Sequence, residues 1–258
     1  MFRTIDVRLI PILLAALLAT SLLQHAAAAE NKPAAPAPAR LVAPAHGKIP
    51  VAFVVTDGAN VMDIAGAWEV FQDTMVPSRG DSMDDQMVFR LFVVSDKKTP
   101  VRLTGGMTLV PDYTFEDAPA ASVIVVGAQA GADKLADFLR TRHANGEVIV
   151  SVCTGAFKLA LAGLLDGKQA TTHHDYMDAF RKKYPNVTLM PGNRYIESDA
   201  TIFTAGGLTS GIDLALHIVD RYFGPEVAAK TANYMEYTGT GWKTPQGASP
   251  IGDQAMAQ

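Results

Sequence analysis

The sequence predicts an α/β domain in which a mostly parallel β-sheet is covered by helices on both faces. Short runs of apolar and β-branched residues, at 49–55 and 123–126, are typical of strands buried on both faces. Between such runs, apolar residues recur at helical spacing, as in the stripe Ile64, Ala67, Trp68 and Phe71. Strands that alternate with helices form parallel βαβ units, so the sheet is expected to be doubly wound.

The other elements continue this alternation. Further strands are predicted at 89–94, 147–152, 194–197 and 201–205. Helices are predicted over 131–143, 157–165 and 212–223. Residues 101–110 read as a hairpin with a two-glycine turn. Ligand sites in such sheets lie where the strands end, which directs attention to the turns at 56–63, 127–131 and 153–155.

Amino-acid composition narrows the classes of function that the protein can have. The chain has 258 residues, of which 48% are apolar, and a net charge of −4. This is enough apolar material for a sizeable core without metals or disulfides, and a single cysteine cannot form an intramolecular disulfide. The sequence has no basic stripe of the kind that a nucleic-acid backbone requires. A small-molecule partner is therefore expected, and nucleic acid is not.

The first 29 residues have the pattern of a secretory signal peptide. Arg3 and Arg8 precede an apolar run, and small residues at 26–29 end it. Cleavage after Ala29 would give an exported, periplasmic protein without a stable membrane span. The alternative is an uncleaved N-terminal membrane anchor, although the apolar run is short for a full span.

The rest of the chain divides into three parts. Residues 30–48 are rich in proline and alanine and are interpreted as a linker. Residues 49–238 form the predicted domain. Residues 239–258 have little periodicity and are expected to be a loosely packed tail.

Cys153 is the first candidate for chemistry. A buried strand ends directly at this residue and a helix follows without a loop, which is the layout of a nucleophile elbow. The N-terminus of the helix is expected to lower the pKa of an accessible thiol, and the backbone N–H of Thr154 can stabilise an oxyanion. The alternative is a buried structural cysteine.

Two further turns are expected to face Cys153. Asp63 follows the first strand and can orient or deprotonate water, but an Asp before a helix can also be only an N-cap. Gly127 and Ala128 follow another strand and can offer a second backbone N–H to an oxyanion.

The run Thr172-His173-His174-Asp175 contains two histidines. His173 can stabilise a thiolate or carry a proton, whereas His174 is interpreted as a surface residue. The spacing matches no strong metal-ligand pattern. The glycine pairs at 105–106 and 206–207 match no dinucleotide or phosphate-binding motif, so no cofactor is predicted; the second pair indicates a close backbone approach.

Several motifs occur together in this sequence: Ser151-Val152-Cys153-Thr154-Gly155, the runs 162–167 and 170–173, the first-helix motif 62–71, the helix entry 205–216 and the C-terminal runs 234–237 and 247–250. Together they resemble the DJ-1/PfpI superfamily and its flavodoxin-like fold. The similarity covers about residues 49–250. Within the superfamily these motifs resemble isonitrile hydratase and the amidotransferase-like domain of AraC-type regulators.

The resemblance implies roles for particular residues. Cys153 is the nucleophile, Thr154 its neighbour in the site, Asp63 the acid/base group, and His173 matches a histidine near the cysteine in wider relatives. The reaction implied is hydration of an isonitrile to an N-substituted formamide. The family also implies a homodimer.

Two departures and two alternatives qualify this reading. The usual Pro-Gly-Gly is Val126-Gly127-Ala128 here, and no DNA-binding helix-turn-helix is expected after Tyr237. A non-catalytic periplasmic ligand sensor would keep the fold and the cysteine without turnover. A stress protein of the glyoxalase or deglycase type would more often carry Glu in place of Asp63.

Overall fold

The structure, a computed structural model, describes residues 40–244. Its strands are β1 (Ile49–Val54), β2 (Phe89–Ser95), β3 (Val101–Arg102), β4 (Thr108–Leu109), β5 (Tyr113–Thr114), β6 (Val123–Val126), β7 (Val148–Ser151), β8 (Gln169–Ala170), β9 (Thr188–Leu189), β10 (Tyr195–Glu197) and β11 (Ile202–Ala205). Seven of them form one sheet in the order β10-β11-β7-β6-β1-β2-β5. Only the β10–β11 pair in this sheet is antiparallel, which confirms the mostly parallel arrangement.

Helices cover both faces of this sheet. They are α1 (Val61–Gln72), α2 (Met83–Gln86), α3 (Asp133–Ala144), α4 (Ala156–Leu161), α5 (Met177–Lys183), α6 (Ser210–Phe223) and α7 (Pro225–Tyr234). Buried residues of α1, α6 and α7 join the core on one face, and those of α3, α4 and α5 join the core on the other. Alternate residues of β1 point into the two cores, which explains the continuous apolar run in that strand.

The register of the sheet brings the ends of four strands to one edge. Val54 of β1 pairs with Val126 of β6, Val126 pairs with Ser151 of β7, and Ser151 pairs with Thr204 of β11. Because these strands are parallel, the segments that follow them leave from the same edge. Residues far apart in sequence can therefore meet there.

The hairpin is also confirmed, since β3 and β4 pair antiparallel around Thr104–Gly106. Three helices, α2, α5 and α7, are not among the predicted elements. The predicted late helix ends at Gly224, whose φ of 90° turns the chain, and Pro225 begins α7.

The described ends of the chain are held against the domain. Leu41 donates its N–H to the carbonyl of Arg221, and the guanidinium of Arg79 donates to carbonyls at 44, 45 and 47. Trp242 is buried, and the hydroxyl of Tyr195 donates to its carbonyl, so the expectation of a loose tail is wrong as far as Thr244.

Three predicted features lie outside the described residues. They are the signal peptide, the linker up to residue 39 and the tail from residue 245. Between residues 40 and 244, no helix has the length and apolar character needed to cross a bilayer.

Candidate active site

Cys153 lies on a tight turn at the end of β7. Val152 is still extended, whereas Cys153 has a φ of 59°, which is rare for a residue with a side chain. Its N–H donates to the carbonyl of Gly206 at 2.8 Å, and its carbonyl accepts from the hydroxyl of Thr172 at 2.9 Å. Contacts on both sides therefore hold the strained turn, and the predicted strand–turn–helix layout is present.

Gly155 allows this turn to pack closely against the neighbouring strand. A Cβ atom at Gly155 would lie only 2.1 Å from the carbonyl oxygen of Val126. The position therefore excludes every side chain, and β6 can approach the turn that carries Cys153.

Asp63 is the third residue of α1 and is not its N-cap. Asn60 caps the helix, because its side-chain oxygen accepts from the N–H groups of Met62 and Asp63. The alternative in which Asp63 only caps the helix is therefore wrong.

The Asp63 side chain faces the end of β6 and is fully buried. Its Oδ2 accepts from the N–H of Ala128 at 2.8 Å, whereas its Oδ1 is buried and makes no well-formed hydrogen bond among the described residues. An unpartnered buried carboxyl oxygen is costly, and such groups concentrate at functional sites.

The structure brings Asp63 and Cys153 together. Burial raises the pKa of Asp63 to about 6, although the N–H of Ala128, the thiol of Cys153 and the N–H of Leu208 oppose the rise. Burial and the nearby Asp63 charge raise the pKa of Cys153 to about 11, against the effect of the N–H groups of Thr154 and Leu208. The pair therefore favours a neutral thiol beside an ionisable carboxyl.

This result corrects the prediction of an accessible thiol with a lowered pKa. The cysteine is only 6% exposed. The helix expected to favour the thiolate, α4, has only six residues and follows a 3₁₀ turn. The desolvation of the thiol outweighs the attraction of so short a helix.

The N–H groups that influence the thiol come from Thr154 and Leu208. The first was predicted, whereas Leu208 was missed. Leu208 has a φ of 50° and lies between β11 and α6. In the sequence, only the glycine pair Gly206 and Gly207 marks the turn in which Leu208 lies. The close backbone approach expected there is confirmed, since a Cβ at Gly207 would lie 2.3 Å from Cδ2 of His173.

Gly127 and Ala128 contribute differently from the prediction. The N–H of Ala128 donates to Asp63, so it holds the carboxyl group in place and is not a free oxyanion donor. A Cβ at Gly127 would lie 2.7 Å from Cβ of Asp63, so this glycine allows α1 to approach β6. Both residues thus position Asp63.

His173 packs beside the site. Its ring lies against Gly207, and its Nδ1 accepts from the N–H of Asp175 at 3.3 Å. Between residues 40 and 244, no hydrogen bond joins His173 to Cys153. The neighbouring Thr172 contacts Cys153 instead, since its hydroxyl donates to the backbone carbonyl of Cys153. The role of His173 as a proton carrier stays a prediction.

His174 is exposed, as the sequence indicated. The ligand atoms of His173, His174 and Asp175 lie within 4.8 Å of one another. The two rings stack with their centroids 4.4 Å apart and their planes tilted by 23°, and Nε2 of His174 lies 3.1 Å from Oδ1 of Asp175.

Comparisons with known proteins agree with this geometry. Residues 50–221 match the DJ-1/PfpI family. Isonitrile hydratase of Pseudomonas putida is 33% identical over 193 residues, which cover 72% of this chain and 78% of the hydratase. The HTH-type transcriptional regulator GbdR of Pseudomonas aeruginosa is 26% identical over 192 residues; the match covers 72% of this chain and 50% of the regulator.

Solved structures share the fold. A THiJ/PfpI family protein from Pseudomonas syringae superposes with a TM-score of 0.61 at 27% identity, covering 77% of this chain and 78% of that one. An AraC family transcriptional regulator from Pseudomonas putida gives a TM-score of 0.62 at 19% identity, covering 72% of this chain and 99% of that one.

Proposed function

Because the chain belongs to the DJ-1/PfpI family, we propose that its Cys153–Asp63 pair catalyses the addition of water to a small electrophile, an isonitrile, which gives an N-substituted formamide. The observation that carries the proposal is the fully buried Asp63, whose carboxyl group lies beside the neutral thiol of Cys153. A cysteine with a purely structural role has no need of such a partner.

The first step adds the S–H bond across the isocyano carbon. At neutral pH Asp63 is ionised, since its pKa is about 6, and it takes the proton from the thiol. The sulfur electron pair forms the S–C bond, and Asp63 delivers the proton to the same carbon. The product is a thioimidate, in which the carbon carries hydrogen and sulfur and is doubly bonded to nitrogen.

The second step adds water to this double bond. Asp63 takes a proton from the attacking water and passes it on to nitrogen, which leaves a tetrahedral carbon bearing hydroxyl and sulfur. The C–S bond then breaks, the hydroxyl becomes the formamide carbonyl, and its proton returns to the departing sulfur. The N–H groups of Thr154 and Leu208 favour negative charge on that sulfur. The sum is one isonitrile and one water giving one formamide.

The high pKa of Cys153 makes the carboxyl group essential in this scheme. With a pKa of about 11, the thiol is almost entirely protonated at neutral pH and is a weak nucleophile alone. A base beside it removes the proton as attack occurs. We therefore expect kcat/KM to rise as Asp63 ionises, with an inflection at a pH of about 6.

The test is turnover of cyclohexyl isocyanide by the purified protein. Cys153→Ala, Asp63→Asn and the double variant should each lose at least about 100-fold in turnover, and the losses should not add, since the two residues act as one unit. Asp178→Asn, an exposed aspartate of α5, is the matched control and should keep full activity. Near wild-type turnover by Asp63→Asn would contradict the mechanism.

A second candidate is a ligand-sensing module. The similarity to a transcriptional regulator supports it, although this chain spans about half the length of that protein. Tight binding of isocyanide by wild type without formamide release would favour this reading. Conversion of methylglyoxal in place of isocyanide would favour an enzyme of the glyoxalase type.

We also propose that the protein works outside the cytoplasm as a homodimer. The signal-peptide pattern of residues 1–29 supports the first part. The second part rests on the family resemblance and is tested by sedimentation of the purified protein.

A further inference from the structure

We propose that Arg194, held by Asp213, is a positioning residue: it fixes the loop Gly206–Thr209, whose Gly206 carbonyl accepts from the N–H of Cys153 at 2.8 Å, so that the N–H of Leu208 is held towards Cys153 and Asp63. The inference rests on Cys153 being the reactive group of the proposed function. It does not rest on isonitrile being the substrate.

The loop needs support from outside. It joins β11 to α6, and Leu208 in it has a left-handed backbone conformation with a φ of 50°. Such a conformation costs on the order of 1 kcal/mol for a residue with a side chain and persists only when its surroundings impose it. The side chain of Leu208 is 37% exposed, so burial of that side chain does not fix the loop.

Arg194 holds the loop on both sides of Leu208. Its backbone carbonyl accepts from the N–H of Gly206 at 2.9 Å. Its guanidinium Nη2 donates to the hydroxyl of Thr209 at 3.2 Å. One residue thus anchors the position two before Leu208 and the position directly after it.

Asp213 in turn fixes the guanidinium. Its Oδ2 accepts from Nε of Arg194 at 2.7 Å and lies 2.6 Å from Nη2, and the carboxylate is almost fully buried in the first turn of α6. A paired planar guanidinium has little rotational freedom, and a helix N-terminus favours the carboxylate charge.

The end of the described chain covers this ion pair. The hydroxyl of Tyr237 donates to Asp213 at 3.0 Å, and the N–H of Trp242 donates to it at 3.1 Å. A Cβ at Gly241 would lie 3.0 Å from Cγ of Asp213. The segment 237–242 therefore shields the pair from water and strengthens it.

The test uses two mild substitutions and a readout that needs no substrate. Thr209→Val removes the hydroxyl that accepts from Arg194 and keeps its volume. Arg194→Lys keeps the charge opposite Asp213 but loses the second nitrogen. Thr141→Val and Arg181→Lys change the same residue types on α3 and α5, where their partners are Asp137 and Asp178, and serve as matched controls.

The readout is the rate of Cys153 alkylation by iodoacetamide, followed from about pH 5 to about pH 10 with melting curves of each variant. The N–H of Leu208 lowers the pKa of both Asp63 and Cys153, so its loss should raise both. We expect the rate at alkaline pH to fall about 3- to 10-fold and the lower inflection to move upward, as for the loss of one hydrogen bond to a charged group.

Controls should alkylate as wild type does. An unchanged profile in both loop variants would overturn the proposal. Faster alkylation with no shift of the inflection would also overturn it, because the loop would then only shield the thiol. Because alkylation is independent of turnover, this result stands apart from the outcome with cyclohexyl isocyanide.

Discussion

At the scale of single residues, Asp63 shows how burial sets chemistry. One of its oxygens accepts from the N–H of Ala128, and the other makes no well-formed hydrogen bond among the described residues, so burial leaves the charged form poorly stabilised. The same environment that suits proton transfer must therefore cost stability. This cost to the free energy of unfolding can be measured.

We expect Asp63→Asn to be more stable than wild type above pH 6. The pKa rises from 3.8 in the unfolded chain to about 6 in the folded protein. The folded state thus binds the proton more tightly, and wild type loses stability as pH rises through this window and stays lower above it. Asparagine does not titrate, so its advantage should grow over the window to about 3 kcal/mol.

Denaturant unfolding at about four pH values between 3.5 and 8 measures the difference in free energy of unfolding between Asp63→Asn and wild type. Asp178→Asn, whose carboxylate is exposed, should show no such trend. A variant less stable than wild type at every pH would mean that the Asp63 charge is stabilising in the folded protein.

The sequence predicts the positions of candidate site residues correctly where the fold places them by a simple geometric rule. Cys153 and Asp63 follow two parallel strands, and such positions meet at one edge. Leu208 could not be predicted, since its φ and the direction of its N–H depend on Arg194 and other distant contacts. The thiol pKa was predicted wrongly because its burial comes from tertiary packing, which the local motif does not contain.

At the scale of elements, the N-cap of α1 sets the position of Asp63. Asn60 accepts from the N–H groups of Met62 and Asp63, so it fixes the first turn in which Asp63 lies. A cap of this kind contributes about 1 kcal/mol to stability. Here it also positions a group of the candidate site.

We therefore expect Asn60→Ala to cost about 1 kcal/mol of stability and to alter the pH profile of Cys153 alkylation. Ser82→Ala is the matched control, because Ser82 caps α2 in the same way by accepting from the N–H of Asp85. The control should lose similar stability with an unchanged profile. Equal profiles for both variants would show that the cap contributes stability alone.

The elements that periodicity found are those with the strongest apolar pattern. β1, β6, β7 and α6 are buried along most of their length, and α1 along half of it. Helix α5 buries only Met177 and Phe180, and β5 has two residues, which leaves too little pattern to detect. Their places depend on neighbours in the fold.

At the scale of the whole molecule, the candidate site is a product of the complete sheet. Asp63, Cys153 and Leu208 follow β1, β7 and β11, which are not consecutive in the chain. Only the assembled order β11-β7-β6-β1 brings them to one edge. The site therefore forms with the global fold and is lost with it.

The expectation of export also concerns the whole chain. We expect the protein recovered from the periplasm to begin near Glu30, because small residues end the apolar run just before it. N-terminal sequencing after cell fractionation measures this. Replacing Arg3 and Arg8 with Glu should retain the protein inside the cell, whereas a protein found in the cytoplasm with Met1 in place would contradict the prediction.

The burial of Cys153 also affects how quickly its thiol is oxidised. Peroxides and foreign disulfides react with the thiolate, and a thiol whose pKa is about 11 offers on the order of one thiolate in ten thousand molecules at pH 7. With the sulfur covered as well, oxidation of this thiol is slow. Burial and the raised pKa of Cys153 thus protect the cysteine from oxidative damage.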